Sequence, residues 1–213
     1  MKIDFVSDIA CPWCAVGLNA LEIALKNIGG DVPVELHFQP FELNPQMRPE
    51  GEDAVAYLSA KYGISAEQIA RNQAAIRERG AAVGFSFGTR ARVWNTFDAH
   101  RLLHWAGEEG PEGAQRSLKH ALLQAYHGQG HNPSDAEVLL GAAVSVGLDA
   151  ARASEVLGSD EFSAEVRQAE SFWQQAGIRS VPSVVVNDRH LIQGGQPPEV
   201  FEQALRQIAA EAG

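Results

Sequence analysis

The sequence predicts an α/β chain in which a two-layer unit of strands and helices is interrupted by an all-helical insertion. Three observations point that way. Apolar alternation at a period of two, the mark of a strand, recurs near both ends of the 213-residue chain, whereas residues 46–159 show only helical spacing. The ends order as β-α-β and α-β-β-α, and the first of these implies parallel pairing through a right-handed crossover. The only two cysteines stand three apart in "SDIACPWCAVGL", where the first strand gives way to the first helix. Residues 1–45 and 160–213 therefore read as one discontinuous domain, and residues 46–159 as a second domain inserted into it.

Each element has a local cause. "KIDFVSD" sets Ile3 and Phe5 against Lys2 and Asp4 and reads as a strand. A helix is predicted over 12–28: Pro12 suits the first helical position, Val16, Leu18, Leu21, Ala24, Leu25 and Ile28 recur at helical spacing, and Gly29-Gly30 stop it. "VPVELHFQPFEL" returns to a period of two, with Val32, Val34, Leu36 and Phe38 on one face and Pro33 tolerable at a strand start. Past the loop "NPQMRPEGED", helices are predicted over about 52–61, 65–80, 95–107, 111–127, 134–146 and 149–157. "SAEQ" and "SDAE", led by Ser65 and Ser134, match capping boxes. A helix over 160–176 takes Asp160 as its N-cap. "SVPSVVVND" and "HLIQGG" read as two strands joined by a tight turn, and "QPPEVFEQALRQIAAEA" closes the chain as a helix with proline in its first turn.

A 45% hydrophobic content suffices for a sizeable core, and a formal net charge of -10 disfavours nucleic acid and anionic membranes as partners. No apolar run approaches bilayer length. The N-terminus lacks the apolar stretch and cleavage site of a secretory signal, so the expected compartment is the cytoplasm.

In that compartment two cysteines do not form a structural framework. Chance would set two cysteines three apart only about 1% of the time, so the spacing asks for a reason. On a helix, positions i and i+3 share a face about 5 to 6 Å apart, within the reach of a disulfide. Cys11 falls at the helix N-cap, where free N–H groups and the dipole favour a thiolate, which makes it the expected attacking nucleophile. Cys14, one turn inside, is the expected resolving thiol. Pro12 pre-sets the helical turn, and Trp13 offers an apolar surface for a partner. A purely structural disulfide closing so short a loop contributes only about 2 kcal/mol. A zinc site needs roughly four ligands and no third cysteine exists; His100 and His104, four apart on "TFDAHRLLHWA", have metal-compatible spacing but leave the ligand count short and read as two partly buried or surface histidines.

Asp8 precedes Cys11 by three residues and reads either as a proton acceptor for Cys14, which needs a raised pKa, or as a cap of the turn. Arg77, Arg79, Arg90 and Arg92 lie among glycines and aromatics, either lining a groove that faces the thiols, fit for an acidic group such as a glutathione carboxylate, or solvated in a loop. Gly128-x-Gly130 follows a helix and lacks a third glycine, which argues against a dinucleotide site. Of Phe172 and Trp173, at least one is expected in the core.

The stretches "SDIACPWC", "FQPFELNP", "RVWNTFDAHRLLHWA" and "GIRSVPSVVVND" together resemble the DsbA-like thiol–disulfide oxidoreductases of the thioredoxin superfamily, and within them the cytoplasmic FrnE-like branch. The resemblance covers nearly the whole chain. It implies a thioredoxin fold with a helical insertion, a redox-active Cys11–Cys14 disulfide, and no metal or other cofactor. It also implies a cis-proline opposite the cysteines, which on this sequence is Pro182, with Val181 before it offering its backbone to an extended substrate. Locally, Pro182 reads equally well as a strand-start proline. Trp13 stands where the best-known periplasmic members carry histidine, and the second cysteine pair of some FrnE-like proteins is missing. A sister group, the 2-hydroxychromene-2-carboxylate isomerases, uses glutathione and has serine at the position of Cys11. The implied activity is protein dithiol–disulfide exchange, with thiol- or disulfide-containing proteins as partners and glutathione as a candidate co-substrate. The alternative is a glutathione-dependent isomerase or transferase acting on aromatic or polyketide-like small molecules.

Overall fold

The computed structural model describes residues 1–30 and 32–211. Strand β1 (Lys2–Ser7) leads through α1 (Pro12–Ile28) to β2 (Glu35–Pro40), and the two strands pair in parallel, Ile3 opposite Leu36 and Phe5 opposite Phe38. Near the C-terminus β5 (Ser183–Val186) pairs antiparallel with β1 and with β6 (His190–Gln193), so the sheet runs in the order β2-β1-β5-β6. Asn187 and Asp188, both at positive φ (52° and 56°), lie in the three-residue loop 187–189 of the β5–β6 hairpin, whose ladder closes at Val186 opposite His190. This is a thioredoxin fold with a large insertion, and the sequence's α/β order holds at both ends.

Alternation along β1 sorts the two layers. Ile3 and Phe5, with Val184 and Val186, face a core filled by Val16, Leu18 and Leu21 of α1 and by Phe201 and Leu205 of α9 (Pro198–Glu211). Val6 and Val185 face the opposite side, where α8 (Ser163–Gln175) contributes Trp173. Phe172, its neighbour, is exposed. The central strand is thus covered on both faces, which is why it carries so little exposed surface.

The insertion comprises α2 (Ala54–Tyr62), α3 (Ala66–Ala82), α4 (Phe97–Glu108), α5 (Ala114–Leu123), a π-helical turn (Gln124–Gly128), α6 (Ala136–Ser145) and α7 (Ala150–Leu157). It is not all-helical: β3 (Glu52–Asp53) and β4 (Arg92–Val93) form a short antiparallel ladder, too brief to leave an alternating pattern in the sequence. Its apolar side chains join those of the sheet in one continuous cluster. Gln115 of α5 binds the outer edge of β2, accepting from the Phe38 N–H at 3.1 Å and donating to the Phe38 carbonyl at 3.4 Å, so the insertion shields an otherwise open strand edge.

Several boundaries differ from expectation for physical reasons. The second strand starts at Glu35 rather than Val32, because Pro33 has no N–H to give the ladder. Ser65 caps α3 as expected, accepting from the Gln68 N–H. Ser134 does not cap α6: its hydroxyl donates to the Asn95 carbonyl at 2.7 Å, and Asp135 takes the cap. Asp160 does not cap α8 either; the helix enters through Phe162 in a left-handed conformation (φ 61°).

Candidate active site

The end of β1 and the start of α1 build the thiol pair. After Ser7, the turn Asp8–Ala10 is closed by the Cys11 N–H to the Asp8 carbonyl at 3.2 Å. Cys11 is the N-cap of α1 with an extended backbone, and Pro12 occupies the first helical turn, where its missing N–H leaves nothing unsatisfied. The Cys14 N–H then reaches back to the Cys11 carbonyl at 3.0 Å. Both cysteines are free thiols; Cys11 is 4% exposed and Cys14 fully buried. Trp13 stands at the surface beside them.

The two sulfurs are electrically unequal. The Cys14 thiol donates to the Cys11 sulfur, and this lowers Cys11 below the ordinary thiol range against the opposing effect of burial; the N–H groups of Cys14 and Trp13 assist. Cys14 is pushed well above that range, first by burial and then by its donation to Cys11. The outer sulfur is therefore the more acidic of the pair and the inner one the less.

Opposite them runs the segment before β5. The Val181–Pro182 peptide is cis, and the Val181 carbonyl lies 3.5 Å from Cys11 Sγ. The approach is set by a glycine. A methyl group at Gly17 of α1 would come within 2.9 Å of Pro182 Cγ and 3.3 Å of Gly195 Cα, so only a bare backbone lets α1 lie this close to the Val181–Pro182 segment. Gly17 has no signal in the sequence beyond interrupting an apolar helix face.

Asp8 is fully buried, and its carboxylate accepts from the Ala10 N–H (3.0 Å), the Leu43 N–H (2.7 Å) and the Thr96 hydroxyl (2.7 Å), with His100 Nε2 at 3.3 Å. Burial pushes this carboxyl up, but the bonds from His100, Leu43 and Ala10 outweigh it and leave it below the ordinary carboxylate range. Of the two expectations for Asp8, capping matches these bonds. A proton acceptor for Cys14 needs a carboxyl held up, and this one is held down. His100 is thus accounted for as a partner of Asp8, and among the described residues no cluster of three metal-ligating side chains exists.

The insertion also grips the carbonyls that precede Cys11. His127 Nε2 donates to the Ile9 carbonyl at 2.8 Å, and burial, followed by the nearby Arg90, lowers this imidazole to about 3, so it stays neutral. Arg90 Nη1 donates to the Ala10 carbonyl at 3.0 Å. Beside Pro12 opens a cavity of about 70 Å³, bounded by Ile76, Arg77, Phe87, Thr89, Arg90 and His127. The arginine-rich stretch divides accordingly. Arg77 and Arg90 face this cavity, Arg79 donates to the Gly195 carbonyl at 3.3 Å, and Arg92 binds the carbonyls of Glu50 and Gly51 at the ribbon. Tyr62, exposed at the C-terminal end of α2, has its phenol pushed up by partial burial and then by the charge of Cys11.

The sheet order and the helical insertion define a DsbA-like thioredoxin fold, with two free thiols at the start of α1. The chain belongs to the DSBA-like thioredoxin domain family, whose pattern matches residues 2–206. It is 31% identical over 210 residues to the uncharacterized protein YwbO of Bacillus subtilis strain 168, covering 96% of each chain. A probable DsbA oxidoreductase from Streptomyces coelicolor superposes with a TM-score of 0.92 at 36% identity, over 99% of this chain and 91% of the other. A 2-hydroxychromene-2-carboxylate isomerase shares the fold, with a TM-score of 0.75 at 15% identity over 100% and 98% of the two chains.

Proposed function

We propose that the chain is a dithiol–disulfide oxidoreductase that works through the "CPWC" pair. One observation carries this reading: Cys11 at the N-cap of α1 has the buried Cys14 one turn behind it and its Sγ lies 3.5 Å from the Val181 carbonyl, so nucleophile, resolving thiol and substrate-facing backbone meet at one point. Cys11, as thiolate, attacks one sulfur of a substrate disulfide; the S–S bond breaks and a mixed disulfide forms. Cys14 then attacks the Cys11 sulfur, closing the Cys11–Cys14 disulfide and releasing the substrate as a dithiol. Run in reverse, the same steps oxidise a dithiol. Among the described residues the Val181 N–H makes no hydrogen bond, which leaves it free for the backbone of an extended partner. Pro182 and Trp13 flank that line. The FrnE-like placement rests on the sequence motifs alone.

The 70 Å³ cavity beside Pro12 favours a second reading. Arg77 and Arg90 suit an anionic thiol such as glutathione, as co-substrate of the exchange reaction or as cofactor of an isomerase. The two readings separate on Cys14, which exchange requires and glutathione-dependent isomerisation does not. In insulin reduction and in refolding of a scrambled disulfide protein, Cys11→Ser is expected to abolish activity and Cys14→Ser to accumulate mixed disulfides. Wild-type activity in both variants would refute the exchange reading.

A further inference from the structure

The chain carries 27 acidic residues against 17 lysines and arginines, so an arginine readily finds a carboxylate. Arg101, Arg116, Arg152 and Arg167 each do. Arg77 and Arg90 do not. Among the described residues Arg77, exposed on α3, makes no hydrogen bond or ion pair, and Arg90 commits only Nη1, to the Ala10 carbonyl at 3.0 Å. Both line the 70 Å³ cavity, and no aspartate or glutamate lines it with them. His127 on the same wall is bound to the Ile9 carbonyl and stays neutral, so the charge facing the cavity is that of the two guanidiniums. Pro12, Ile76 and the Phe87 ring supply apolar surface around them. Apolar walls with a few convergent charged groups are the make-up of a ligand site. The volume holds several water-sized groups, enough for a carboxylate.

Geometry ties this cavity to Cys11 from both sides. Pro12, the next residue, forms part of its wall, and the carbonyl of Ala10, the preceding residue, holds the Arg90 guanidinium. Cys11 Sγ itself lies 3.5 Å from the Val181 carbonyl. A partner laid along Val181 with its sulfur at Cys11 therefore carries a neighbouring side chain past Pro12. Two arginines without a carboxylate at that point favour an acidic group, which a guanidinium can hold through two parallel hydrogen bonds.

We propose that the cavity is a carboxylate subsite, and that the exchange partner is a peptide segment with a glutamate or aspartate beside its reacting cysteine. Arg77 and Arg90 take the carboxylate while the backbone of the segment lies along Val181. The selection runs against the field of the whole chain, whose net charge of -10 repels acidic partners, so it is a property of this subsite and not of the overall charge. The proposal rests on the exchange reading above and names its substrate class.

The test uses short peptides with one cysteine, held as the mixed disulfide with nitrothiobenzoate and flanked on both sides by Glu, Gln or Lys. Cys11 joins the peptide sulfur, the peptide–nitrothiobenzoate S–S bond breaks, and the coloured thiolate leaves. Second-order rates are divided by those of dithiothreitol on the same peptides, which removes differences in intrinsic reactivity. The wild type is expected to prefer the Glu peptide to the Gln peptide by about tenfold, the rate equivalent of one charge-assisted hydrogen bond. Arg77→Gln and Arg90→Gln are expected to shrink that ratio, and Arg77→Glu to turn it toward the Lys peptide. Arg77 is exposed and unbonded, so its variants keep the fold even should those of Arg90 disturb the turn before Cys11. Equal rates on the Glu and Gln peptides, or a preference unchanged in Arg77→Gln and Arg77→Glu, overturns the proposal. So does a preference for the glutathione–nitrothiobenzoate disulfide over its diethyl ester without any preference among the peptides, which makes the cavity a site for a small thiol. Absence of colour release from every substrate instead overturns the exchange reading itself.

Discussion

Gly17→Ala probes the packing that holds the Val181–Pro182 segment over the thiols. In an exposed helix interior the change would stabilise by about 1 kcal/mol, because alanine loses less backbone freedom on folding. Here the added methyl would stand 2.9 Å from Pro182 Cγ and 3.3 Å from Gly195 Cα. Overpacking of this kind costs about 1–3 kcal/mol. The two effects nearly cancel, so a net loss of roughly 0–2 kcal/mol is expected. Relief of the clash moves Pro182 away from α1, and the Val181 carbonyl moves with it from its place 3.5 Å from Cys11 Sγ. Misplacement on the scale of 1 Å lowers rates by up to about 10²-fold, so exchange is expected to fall at least about tenfold while the fold survives. Urea denaturation reads the first effect and insulin reduction the second. A variant stabilised by about 1 kcal/mol with undiminished exchange would refute the packing argument.

Two further outcomes follow from buried charges. Asp8→Ala strands the donors of Ala10, Leu43, Thr96 and His100 and is expected to cost at least about 3 kcal/mol in urea denaturation, with Asp8→Asn milder; a loss under about 1 kcal/mol would contradict its bracing role. Because Asp8 sits below its ordinary value in the folded state, its contribution is present above the unfolded carboxylate range and disappears as pH falls through the folded value. Lys119 is lowered from 10.5 to about 8, so between those values the unfolded chain holds a proton the folded chain has released, and stability rises with pH. Lys119→Met is therefore expected to outlast the wild type in urea by a margin that shrinks by about 3 kcal/mol between pH 7 and pH 10.5; a margin independent of pH would contradict a titrating buried lysine.

What could be read from the sequence was local. The "CPWC" turn is legible because proline placement, cap position and an i, i+3 pair are written in four adjacent residues. The β-α-β and α-β-β-α orders are legible because Ile3, Phe5 and Val184, Val186 alternate against a clear background. What escaped depends on residues far apart in the chain. Gly17 matters only because Pro182 and Gly195 approach it. Asp8 resolves into a brace only when Leu43, Thr96 and His100 arrive from β2's exit loop and α4. Arg90 and His127 reach the carbonyls of Ala10 and Ile9 across the insertion. Lys119 sits in "AQRSLKHALL", where a lysine ordinarily faces water, and its burial follows from α5 lying along β2. The β3–β4 ladder is two residues per strand, below the length at which alternation carries information.

The most direct measurement is the fate of the two sulfurs after one equivalent of a disulfide substrate is added to the reduced protein. Peptide mapping by mass spectrometry is expected to find Cys11 joined to Cys14 in the wild type and a stable mixed disulfide on Cys11 alone in Cys14→Ser. Substrate held on Cys14, or two sulfurs that each carry substrate and never join, would contradict the assignment of attacking and resolving thiols.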